Sequence, residues 1–172
     1  MKISFNKNVA IDQSATLTEG RHIGTVIQIA GLGVQPAFDA GKLPSPCVGV
    51  VLQVAGTQIT KKMRLSGHPM SALFAYFCAA LPDPDGFDGD EPLPLTLGRP
   101  VAIEVSLKGR YTKIDSFHRP EDFELASAPT VAAADLVMLD DPKALEDDSG
   151  KVLFLKLHRD IRGWISNRVR GV

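Results

Sequence analysis

The chain predicts a mainly β fold with one internal helix and one terminal helix. Three observations predict it: three β-branched runs between residues 21 and 66, an apolar run at helical spacing over 70–81, and two further alternating runs between 101 and 120. At 172 residues there is enough chain for one domain with a sizeable core plus an appendage, and too little for two full domains.

The first run, "RHIGTVIQIAGLGVQP", is a strand whose Gly24, Gly31 and Gly33 suit bulges or sharp coiling. A Gly/Pro/Asp/Ser loop, "AFDAGKLPSP", ends it. In "CVGVVLQVAG" the period of two puts Val48, Val50, Leu52 and Val54 on one face, and Ala55-Gly56-Thr57 makes a tight turn. The third strand, "TQITKKMRLS", then sets Ile59, Lys61, Met63 and Leu65 on one face and Thr60, Lys62 and Arg64 on the other, so Lys62 and Arg64 should point outward. Pro69 suits a first helical turn, Met70, Leu73, Phe74, Phe77 and Leu81 form one apolar stripe, and Pro82 stops the helix. In "VAIEVSLK" Val101, Ile103, Val105 and Leu107 alternate with polar or small residues; Gly109-Arg110 turns the chain into "YTKIDSFHRP", a fifth strand ended by Pro120.

This order, β-β-β-α-β-β, is that of an OB-fold, a five-stranded Greek-key barrel whose helix lies between strands three and four and plugs an open end. The expected division is a barrel over 1–125, an acidic tether with at most short structure over 126–150, and an amphipathic helix over 151–172. That helix carries Phe154, Leu157, Ile161, Trp164 and Ile165 on one stripe and Lys156, Arg159, Arg162 and Arg170 mostly behind it.

The formal charge of -1 conceals blocks of opposite sign. Residues 1–81 carry seven Lys/Arg against three acids, 93–120 five against two, and 151–172 six against one; residues 82–92 carry five acids and no base, and 121–150 nine acids and one lysine. Such asymmetry points to an anionic partner or to an internal substitute for one. No secretory h-region and no apolar run of membrane-spanning length occurs, which predicts a cytoplasmic protein without a membrane partner. Cys47 and Cys78 lack metal-ligand spacing and are expected to be buried free thiols.

Catalytic signatures are missing. Gly31-Leu32-Gly33 lacks a third glycine, and neither a phosphate loop nor a nucleophile elbow is present. The four histidines have no ligand spacing, and "DPDGFDGDE" puts Asp88 where a calcium loop needs glycine, so it reads as an acidic surface loop. No enzyme activity, cofactor or metal is expected.

The residues that remain suit single-stranded nucleic acid, which needs cations along the phosphates and flat side chains for unpaired bases. Lys61, Lys62 and Arg64 on strand three, Lys108 and Arg110 at the four–five turn, and Tyr111, Lys113 and Phe117 on alternate positions of strand five supply both; the loop after strand one adds Phe38 and Lys42. An OB barrel binds on the face of strands two and three, between these two loops. Plainer readings are open: Tyr111 and Phe117 packed under the terminal helix, Lys62 and Arg64 as a solvated edge, and the Trp164 stripe as core or oligomer contact.

The runs "GLGVQP", "ITKKMRLS", "HPMSALFAYFCAAL", "LTLGRPVAIEVSLKGRYTKI" and "LFLKLHRDIRGWISNRV" resemble a group of small phage and prophage proteins regarded as single-stranded-DNA-binding proteins of recombination or replication modules. In that group a Gly-Val-Gln-Pro turn follows strand one, a Ser-x-Leu helix follows a lysine-bearing strand, and a Leu-x-Gly-(Lys/Arg)-Pro motif precedes strand four. The resemblance implies phosphate contact for Lys61, Lys62 and Arg64, and base stacking for Tyr111. Candidate partners are single-stranded DNA, a phage recombinase or replication protein, and a second copy of the chain. Many single-strand binders end in an acidic tail; here the acidic run of 135–148 is internal, and we expect it to compete with nucleic acid for the basic face. A protein-binding adaptor or inhibitor docking through the Trp164 helix, and a structural assembly protein, are the alternatives.

Overall fold

The computed structural model describes residues 17–37, 39–82 and 92–170. Phe38 and the acidic loop over 83–91 lie outside the described residues. The fold is mainly β, with six strands and a few helices: β1 (Gly20–Gln35), β2 (Ser45–Val54), β3 (Thr57–Arg64), α1 (Ala72–Ala80), α2 (Pro92–Thr96), β4 (Pro100–Lys108), β5 (Tyr111–His118), α3 (Asp122–Leu125), β6 (Val137–Leu139), α4 (Asp148–Lys156) and α5 (Arg159–Ser166).

The sheet runs β3-β2-β1-β4-β5 with antiparallel neighbours, and β6 adds to β1 in parallel. Each antiparallel step reverses direction, so β3 and β5, the two ends of the path, both run with β1. The sheet curls until these ends lie side by side. There the Lys61 ammonium donates to the Ile114 carbonyl at 2.9 Å.

Sixteen residues of β1 make this curl possible. Its register against β2 slips at Ile27 and at Leu32, two bulges of one extra residue each. They allow Val26 and Ile29 to face the inner core while Ile27, Ala30 and Leu32 face a second core on the outer side. The inner core holds Val48, Val50, Leu52 and Val54 of β2, as alternation predicts, with Ile59 and Met63 of β3 and Leu73 and Tyr76 of α1. Tyr76 is fully enclosed and its hydroxyl donates to Thr96 Oγ1 at 2.7 Å, satisfying a buried polar group that the apolar stripe alone does not reveal.

Four local expectations are corrected. α1 starts after Ser71, whose hydroxyl accepts from the Phe74 amide at 3.1 Å, so a serine cap and not Pro69 sets the first turn, and Met70 lies before the helix and exposed. The strand count is six, because Val137-Met138-Leu139 fills the edge of β1 at Gln28–Ala30, beyond the point where β4 leaves it. Residues 126–150 are held against the sheet at several points: the Thr25 hydroxyl donates to Pro129, Val137 and Leu139 are buried, and any Cβ at Gly31 would strike the Asp140 carbonyl. Glu146 and Asp148 of that acidic run face Arg168 and Lys151 at 3.9 and 3.4 Å. The single terminal helix is two, α4 and α5, broken at Leu157-His158, where His158 Nδ1 accepts from the Asp160 amide at 3.1 Å and starts the second helix. Cys47 and Cys78 are free thiols, the first buried and the second half-buried. Among the described residues no helix is long and apolar enough to cross a membrane.

Candidate nucleic-acid interface

The faces of β3 fall as its alternation predicts, yet what covers them changes their use. Lys61 points to the inner side, and its Nζ is occupied by the Ile114 carbonyl; burial, then the neighbouring Lys113, pull its pKa below the usual lysine value. Lys61 therefore joins β3 to β5 and does not face a phosphate. Lys62 points outward but lies 5.6 Å from the centre of the Trp164 ring, with its pKa lowered by burial. Arg64, at the end of β3, is exposed.

The barrel reading puts the ligand on the outer face of β2 and β3; α5, which reaches β3 at Thr60 and Lys62, covers the outer face of β1 and β2. Leu157, Ile161 and Ile165 are buried there against Ile27, Leu32, Cys47 and Val51. Gly49 lets the helix come close, since a Cβ would sit 2.5 Å from Ile161 Cδ1 and 3.3 Å from the Trp164 ring. Polar contacts fix the same arrangement: Thr60 Oγ1 donates to Asp160 at 2.7 Å, Gln28 receives the His158 amide at 2.8 Å, and Gln35 donates to the Trp164 carbonyl at 2.9 Å. A ligand on β2 would have to displace an apolar core, so the expected β2–β3 surface is corrected on its β2 side, while Gln58 and Arg64 of β3 stay exposed.

On β5 the predicted aromatic pair is separated. Register against β4 slips between Glu104/Val105, which pair with Ser116 and Ile114, leaving Asp115 as the extra residue. That bulge turns Phe117 inward, where it meets Tyr76 edge-on with ring centres 5.2 Å apart, and it offers no face to a base. Tyr111, before the bulge, is 74% exposed. Beside it Lys108 and Arg110 flank the Gly109 turn and are exposed, as is Lys113, 3.9 Å from Asp115. Lys42 is exposed in the β1–β2 loop and pairs with Asp39 at 3.2 Å.

Where the Lys61 bridge ends, the seam between β3 and β5 opens into a groove of about 420 Å³. Thr57–Thr60 and Thr112 line one side, Tyr111 stands at its lip, and Lys156, His158, Arg159, Asp160 and Arg162 of the terminal helices line the other. Asp160 is held by Thr60, and burial, with Arg159 and Arg162 nearby, keeps the His158 pKa below its usual value despite Asp160. Cations outnumber anions on this wall. Sequence reasoning did not place Lys156, Arg159 and Arg162 in the site; the signal available was the basic back of the terminal stripe, which says nothing about the strand it will flank.

The chain matches no protein-family model, and no curated protein sequence is similar to it at a significant level.

Proposed function

We propose that this protein binds single-stranded DNA on an OB-type barrel, in the setting of phage recombination or replication that the resemblance implies. The strand path β3-β2-β1-β4-β5, the helix between β3 and β4, and the same-direction approach of β3 to β5 support the barrel reading, with β6 and the terminal helices as additions. One observation carries the function: Tyr111, an exposed ring, stands between the Lys108–Arg110 turn and a groove walled by Lys156, Arg159 and Arg162. Rings hold unpaired bases by stacking and cations hold the phosphates between them. The rival adaptor reading loses support, since the Trp164 stripe that would dock a partner is spent on the outer core.

The test is fluorescence anisotropy of labelled oligo(dT) with the full chain at low and moderate salt. Expected are binding at low salt, steep weakening as salt rises, and a loss of about 0.7 in the log–log salt slope for each phosphate contact removed, as in Lys108→Ala/Arg110→Ala. No binding at low salt overturns the proposal.

A further inference from the structure

We infer that the seam groove is a clamp for one unpaired nucleotide, its base entering beside Tyr111 and its phosphate held by Lys156, Arg159 and Arg162. This rests on the single-strand reading above and adds the route: the strand passes from the β4–β5 turn across the seam, along the start of β3, to the terminal helices, and not over β2.

The usual route is shut. Above Gly49 there is no room for a base, because Ile161 and Trp164 occupy it, and Lys62 lies against that ring. At the seam, space and chemistry coincide. About 420 Å³ falls within the span of small-ligand sites, roughly 300–1,000 Å³. The lining includes the polar residues Thr57, Gln58 and Thr112, and the exposed ring of Tyr111 stands at the entrance. Three cations and one carboxylate share the wall formed by the terminal helices. Asp160 is held by Thr60 and lies 3.7 Å from Arg159, so it screens that guanidinium in part. The Arg162 guanidinium lies 5.9 Å from the Phe154 ring centre, a cation–π contact that restrains it at the groove wall. A base stacked and paired within a duplex has no access to such a groove without being flipped out, whereas a single strand offers it freely. The C-terminal helices thereby act as one jaw of the site.

The experiment compares the full chain with Arg159→Ala/Arg162→Ala and with Lys151→Ala/Arg170→Ala, which removes the same charge away from the seam. Binding of fluorescein-labelled oligo(dT), and of a duplex of equal length, is read by anisotropy, with circular dichroism melting to establish folding. Expected is a loss of about tenfold or more for the first variant, with a salt slope shallower by about 1.4, and a change within about twofold for the second. The parent should prefer the single strand to the duplex. Should Arg162→Ala unsettle the Phe154 contact and the fold, Lys156→Gln/Arg159→Gln leaves that contact intact and carries the same expectation. Equal losses in the two pairs show a bulk charge effect and overturn the clamp, as does a parent that binds duplex as tightly as single strand. A parent that binds no oligonucleotide at low salt overturns the single-strand reading itself, which separates the two failures.

Discussion

β3 borders two regions of opposite character. On one side lies the outer face of β1 and β2, where α5 packs in an apolar layer with Ile161 fully enclosed, and at the border with β3 a lysine is laid on a tryptophan. On the other, the free edge of β3 meets β5 across a seam that is joined at one end by Lys61 and left open at the other to polar and cationic side chains. A sheet face that packs a helix gains stability in proportion to the apolar area it hides, and in doing so gives up the room a ligand needs. A seam between two strands without a shared ladder meets only the end of α4 and the start of α5, so charged side chains can gather at its rim. Binding surface in a curled sheet is thus decided by what the terminal segments cover as much as by the strands themselves.

The largest effects should come from the packed side of this contrast. Phe117→Ala removes a ring that is 7% exposed and packed on Tyr76, and should cost about 3–5 kcal/mol of unfolding free energy. Ile161→Ala should cost about 2–5 kcal/mol, since it opens a void between α5 and Val51. Urea denaturation with an unchanged slope measures both. An Ile161→Ala protein as stable as the parent would mean that α5 rests loosely on the sheet; the outer face would then be available to ligands and the contrast would dissolve.

Tyr111 sharpens the comparison from within a single strand. It lies six residues before Phe117 on β5, and the bulge at Asp115 sends the two rings to different surroundings. Tyr111→Ala should leave stability within about 0.5 kcal/mol, as for an exposed position. It should weaken oligo(dT) binding by about 1–3 kcal/mol, the worth of one stacked base. A Tyr111→Ala protein that binds like the parent would remove the ring from the site and leave the groove to its cations alone.

The bulge also marks the limit of what could be read in the chain. Alternation over β2 and β3 carried the inward set Val48, Val50, Leu52, Ile59 and Met63 because those strands pair in unbroken register. On β5 the same counting fails after Ile114, since an extra residue against β4 is a property of the pair of strands and leaves no mark in one of them. The turn residues Lys108, Arg110 and Tyr111 were legible because a glycine fixes where the turn falls. Lys156, Arg159 and Arg162 were legible only as a polar back. Their apolar stripe was plain, but which side of the sheet it would cover depended on Gly49 having no side chain and on Thr60 meeting Asp160, contacts more than a hundred positions apart in the chain for the first and a hundred for the second. β6 was hidden for a related reason: three apolar residues between an alanine-rich and an acidic stretch become a strand only because β1 has an edge to fill.

The smallest effect concerns His158, which sits where the two regions join and takes part in both. Its Nδ1 caps α5 by accepting from the Asp160 amide, which requires the neutral ring, and its environment favours that form: burial first, with Arg159 and Arg162 opposing a positive charge and Asp160 alone favouring one. The folded pKa is therefore lower than the unfolded value of about 6.5, and between the two the unfolded chain binds more protons. Stability from this group is complete above about pH 6.5, declines as pH falls through that value, and stops declining below the folded pKa. Urea midpoints between pH 8 and 5 should therefore drop more in the parent than in His158→Asn, since asparagine keeps a side-chain acceptor for the cap and does not titrate. The difference between the two curves isolates this ring from His22, His68 and His118, which both proteins share. Parallel curves would show that the cap survives protonation, with the charged ring turning from the Asp160 amide to its carboxylate, 3.9 Å from Nδ1.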